Sequence, residues 1–150
     1  MLLDTLRTDL HSSLKKGDSN RVETLRFLLA AIRNVAIATY GSAGEASLTD
    51  ADILEVIKKQ VKTHKESIDA FTKAGRNELS ERESNQLHVL EEFLPKEMSD
   101  EELKKLLEPV VASGETNFGL LMKQAMAIVA GQADGGRVAG ILKQILNPKL

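Results

Sequence analysis

The sequence predicts an all-α protein, and three observations carry that reading. Apolar residues return at spacings of three and four along almost the whole of the 150 residues, the period of one helix face. No stretch alternates apolar and polar as a half-buried strand would. Each periodic run is bounded by glycine, proline or a small polar residue able to cap a helix. The organisation read from these signals is a four-helix, bundle-like part over 1–94 and a smaller three-helix tail over 95–150.

In order, Leu3, Leu6, Leu10 and Leu14 form the first stripe, ended by Gly17. Asp18 or Ser19 caps the next helix, whose stripe is Val22, Leu25, Leu28, Leu29, Ile32 and Val35. "GSAGEAS" (41–47) reads as a mobile loop of small residues. Thr49 opens a long helix, with Asp52 three residues on in an imperfect capping-box pattern. Its stripe runs Ile53, Ile57, Val61, His64, Ile68 and Phe71, and Gly75 stops it. A fourth, more polar helix over roughly 77–93 turns Leu79, Leu87, Leu90 and Leu94 inward, which suits the edge of a bundle.

Pro95 breaks the pattern. Ser99 followed at three by Glu102 is a capping box, opening a helix with Leu103, Leu106, Leu107, Val110 and Val111 on one face. Pro109 should kink or shorten its last turn. Asn117 caps a sixth helix built on Phe118, Leu121, Met122, Ala125, Ile128 and Val129. Gly131 ends it, and Asp134 caps a seventh carrying Val138, Ile141, Leu142 and Ile145.

Composition narrows the function classes. There is no cysteine, so disulfides, thiolate zinc sites and cysteine nucleophiles are excluded together. No apolar run approaches the roughly 18 residues of a membrane span. "MLLDTLRTDL" holds acids where a secretion signal would hold bases, so no targeting segment is read and a cytoplasmic location is expected. The net charge of −2 is no global nucleic-acid signature, and DNA binding is not expected. Charge is uneven, however. Residues 1–115 hold 16 Lys/Arg against 21 Asp/Glu, a net of −5, while 116–150 hold four bases against Asp134, a net of +3. Aromatics are Phe27, Phe71, Phe93, Phe118 and Tyr40 only, few for a platform that stacks successive bases.

The most unusual stretch is "GQADGGRV" (131–138). Gly131 sits where a helix needs positive φ, and Asp134 where the next needs an acceptor for its free N–H groups. Neither need explains Gly135-Gly136, since glycine in a helical turn costs up to about 1 kcal/mol relative to alanine. Small residues there would admit another backbone, and free N–H groups favour an anion, although Asp134 opposes one. A plain helix–helix corner and a contact surface both remain open on these residues.

"LEEFLPKEMSDEEL" (90–103), "NFGLLMKQAM" (117–126) and "GQADGGRV" in this order resemble the YqeY family, as do "KKGDSNRVETLRFLLAAIRN" (15–34) and "KKQVKTHKESIDAFTKAGRNEL" (58–79). That family is similar to the C-terminal helical and tail region of the GatB subunit of glutamine-dependent tRNA amidotransferases. The resemblance implies a helical part with a three-helix tail that reaches tRNA, while amide-transfer chemistry belongs to other subunits and domains. It also implies a grouping with carbon–nitrogen ligases that use glutamine as amido-nitrogen donor. Candidate RNA contacts are Lys123, Gly131, Asp134, Gly135, Gly136, Arg137 and Lys143. Two departures remove positive charge: Gln132 stands where members often have lysine, and Gly119-Leu120 where they tend to have Gly-Lys.

The remaining candidates read as structural. Lys58, Lys62 and Lys65 share a helix face, a possible phosphate contact but first a solvated face beside Glu55, Glu66 and Asp69. His64 reads as a satisfied, half-buried histidine, and no spacing of His and carboxylates suggests a metal. There is no Gly-x-Ser-x-Gly elbow or Gly-Lys-Ser/Thr loop, so no catalytic residue and no cofactor is assigned. Met122 and Met126 share a helix face and read as core, or as an adaptable protein-binding surface. The expected function is a tRNA-associated module. The alternatives are a component of an amidotransferase assembly, with amidase or synthetase-like partners, and a protein-interaction adaptor.

Overall fold

The computed structural model describes residues 1–147. It is all-helical among those residues, with α1 Leu2–Lys16, α2 Ser19–Tyr40, α3 Asp50–Lys73, α4 Asn77–Glu91, α5 Asp100–Ala112, α6 Phe118–Val129 and α7 Gly135–Leu146. The chain divides into two compact units, Met1–Leu94 and Pro95–Leu150.

The first unit follows from its caps and stripes. Gly17 turns left-handed at φ 71°, and its N–H closes onto the Leu14 carbonyl. Asp18 then accepts from the Arg21 N–H and starts α2. Leu6, Leu25, Leu28, Ile32, Ile53, Ile57 and Leu90 are fully buried and form the centre of this core. Each side chain of that size contributes about 1.5–3 kcal/mol on leaving water. Thr24, also buried, returns its hydroxyl to the Asn20 carbonyl at 2.8 Å, so the helix absorbs its polar atom without cost to the core.

Four expectations change. Val35 is exposed, because Ala36 occupies the buried position one turn after Ile32. Leu14 is also exposed, in the last turn of α1, as is Leu79 in the first turn of α4. Residues Gly41–Ser47 are not an open loop but wind as 3-10 helix, kinked at Gly44, whose φ is 46°. Glu45 pins this segment by accepting from both Arg7 and Arg33, and Leu48 buries behind it. The capping box at Thr49 is complete in both directions, at 3.2 and 2.9 Å. Asp52 takes a further bond from the Tyr40 hydroxyl at 2.8 Å.

The second unit has its own core of Leu103, Leu107, Val110, Leu121, Ala125, Val129, Val138 and Leu142, with Met98, Met122 and Met126 packed against it. The box at Ser99 and Glu102 opens α5. The helix continues past Pro109 to Ala112.

Candidate functional site

The corner between α6 and α7 is built by two successive left-handed residues. Ala130 adopts φ 50° and ψ 43° and closes α6 by donating its N–H to the Met126 carbonyl. Gly131 follows at φ 83°. Ala133 then plunges into the core, and Asp134 caps α7 by accepting from the Arg137 N–H at 2.8 Å. Alanine is an unexpected choice at a helix end, since the left-handed region costs an L-residue with a Cβ roughly 1–2 kcal/mol.

A reciprocal brace holds the corner in place. The Met98 N–H donates to the Gln132 carbonyl at 2.9 Å. In return, Nη2 of Arg137 donates to the Met98 carbonyl at 2.7 Å and to Asp100 at 2.8 Å. Asp100, with Glu97 and Asp134 adding field, holds the guanidinium more firmly charged than usual. Arg137 is thus committed to the approach segment of α5. Met98 and Asp100 were not legible as parts of the corner, because they lie 39 and 37 residues away in sequence.

The other basic candidates stand elsewhere. Lys143 is exposed on α7, with its Nζ 5.8 Å from the centre of the Phe118 ring, a cation–π geometry. Lys123 is exposed in mid-α6. No recorded ion pair includes either lysine among the described residues. The net +3 of residues 116–150 is offset by residues 95–115, which hold three bases against six acids. An open hollow of about 520 Å³ borders Gln132 and is lined also by Lys96, Glu97, Glu102 and Lys105.

The glycines are open to the outside. A Cβ added at Gly135 or Gly140 would meet nothing within 4 Å, and one at Gly136 would meet only Asp134 Oδ1 at 3.3 Å. Gly136 and Gly140 lie one turn apart on the exposed side of α7. Gly140 is not among the residues expected at the site; its four-residue spacing from Gly136 was the available signal.

Among the described residues, no three His, Asp or Glu side chains gather as a metal ion would require. His64 is satisfied by Glu83 across α3 and α4. Lys58 lies 3.9 Å from Glu55, and Lys62 and Lys65 are exposed.

Fold and caps together define an all-helical protein whose second unit turns sharply between α6 and α7. The chain matches the family model described as Yqey-like protein over residues 3–146, and it belongs to that family. It is similar to an uncharacterized protein of Schizosaccharomyces pombe, 33% identical over 95 residues, covering 63% of this chain and 73% of that one. It is also similar to "Altered inheritance of mitochondria protein 41, mitochondrial" of Pyrenophora tritici-repentis, 26% identical over 156 residues, covering 99% and 83% of the two chains. The protein of the same name from Kluyveromyces lactis is 27% identical over 141 residues, covering 92% and 72%. No helix among the described residues is long and apolar enough to cross a membrane.

Proposed function

We propose that this chain is a tRNA-associated binding module that acts without an active site of its own, in the cytoplasm. Its contact surface in this reading is the exposed side of α7 with the corner before it. The observation that supports this is the openness of Gly135 and Gly140. Gly140, inside α7, weakens the helix relative to alanine, and no neighbour among the described residues requires either glycine to be small. A backbone approaching from outside would require it. Lys143, Lys123 and Arg137 are the cations that meet phosphate in this reading, and Arg137 also shapes the corner.

The test is binding to bulk tRNA at two salt concentrations, with duplex DNA as control. The expected result is salt-sensitive binding that prefers tRNA. Gly140→Gln should block it sterically and Lys143→Ala should reduce its salt slope by about one. Absence of binding at low salt would remove the proposal.

A second reading has one observation of its own. Leu120 and Ile128, eight residues apart on α6, are 47% and 45% exposed. Exposed apolar side chains along one helix suit a protein partner, as an adaptor or as a component of a glutamine-dependent amidotransferase assembly would need. Its signature is a complex little affected by salt and lost in Leu120→Lys.

A further inference from the structure

The first unit contains a concavity that the corner reading does not use. It opens between α2, α3 and α4 and has a volume of about 420 Å³, within the range of small-ligand pockets. Phe27, Phe71 and Leu79 supply its apolar surface. Phe27 is 75% exposed, although it is one of only five aromatic residues in the chain.

The rest of the lining is polar but neutralised. Glu23 pairs with Arg82 at 2.7 Å, and His64 pairs with Glu83. The amides of Gln60 and Gln86 and the hydroxyl of Ser67 line the same space. Each amide offers a donor and an acceptor side by side.

These features select among occupants. A phosphate would find Arg82 already held by Glu23, and His64 already engaged by Glu83. A purely apolar side chain would leave the amides and hydroxyl desolvated without partners, which disfavours it. A flat heterocycle with donors and acceptors on its edge satisfies both surfaces, its face against Phe27 and its edge toward the amides and the His64–Glu83 pair. We infer that this concavity binds a single unstacked nucleobase, with Phe27 as its stacking surface. The scarcity of aromatics rules out a platform for successive bases but not a site for one. The base can belong to a free nucleoside or to a single-stranded stretch of RNA, and neither source depends on the proposed surface of α7.

The test is a titration of the full-length, 15N-labelled protein with adenosine, cytidine, guanosine and uridine, and separately with a short single-stranded RNA oligomer. Saturable amide shifts confined to residues around Phe27, His64 and Gln86 are expected. Shifts with nucleosides alone identify a free ligand; shifts only with the oligomer identify RNA. Phe27→Ala should weaken binding about tenfold or more, Phe27→Tyr should retain it, and both should melt as the parent does because Phe27 is exposed. No shifts with either probe, or equal binding by Phe27→Ala, would overturn the inference. Lys143→Ala should leave these shifts unchanged, which separates this site from the one proposed on α7.

Discussion

Arg21 lays one edge of its guanidinium along the carboxylate of Asp9, Nε to Oδ1 and Nη2 to Oδ2, both at 2.6 Å. Its remaining nitrogen donates to Glu92 at 2.7 Å, and its carbon sits 5.7 Å from the Phe93 ring centre. One side chain from the start of α2 therefore ties α1 to the end of α4. The fork geometry matters as much as the charge, since lysine cannot make parallel bonds to one carboxylate. Arg21→Lys should lower the unfolding free energy by about 2 kcal/mol, and Arg21→Ala by more. Urea unfolding measures both, and a lysine variant as stable as the parent would show that the fork contributes nothing.

The same pair sets a pH dependence. The hydrogen bonds from Arg21 hold the Asp9 carboxyl below the usual carboxylate range, against a smaller opposing effect of burial. A carboxylate with a depressed folded pKa contributes stability that is fully present above its unfolded value, near pH 4. That contribution is lost as pH falls from there through the folded pKa. Glu45 has the same sign, with Arg7 as the main cause. Thermal melting from pH 6 down to pH 2 should show this acid limb, and Arg21→Ala should flatten its Asp9 component.

Ala130 should be improvable. It is exposed and left-handed at φ 50°, where glycine carries no Cβ penalty. Ala130→Gly should stabilise the C-terminal unit by about 0.5–1 kcal/mol, after the greater freedom of glycine in the unfolded chain is discounted. A destabilised variant would show that the alanine is not strained.

Arg137 and Lys143 should separate stability from binding. Arg137→Ala removes the brace to Met98 and Asp100 and should lower the melting temperature of the C-terminal unit. Lys143→Ala breaks only an exposed contact to Phe118 and should leave melting nearly unchanged while weakening tRNA binding. Equal melting temperatures for the two variants would contradict the brace.

Gly140→Ala should act in opposite directions on fold and function. With nothing within 4 Å of the new Cβ, the helix gains up to about 1 kcal/mol. If α7 is the contact surface, the same methyl group should weaken tRNA binding. A variant both more stable and equally able to bind would move the contact elsewhere.

Local chemistry made most of the fold legible. The helical period, the boxes at Thr49 and Ser99, the caps at Asp18, Asn117 and Asp134, and the glycine stops are short-range devices, each formed within about one turn of chain. They determine an all-α protein, and the ordered motifs determine its family. What the sequence could not decide is which residues distant in the chain share a surface. The pairings of Arg21 with Glu92, Arg137 with Met98 and Asp100, and His64 with Glu83 span 71, 39, 37 and 19 residues. Helical period also leaves the rim of a buried arc ambiguous, which is why Val35 and Leu79 turned out exposed. The candidate site was legible as a corner, because caps are local. Its charge balance was decided only by packing, where the acidic start of α5 engages the arginine that the sequence offered to a phosphate.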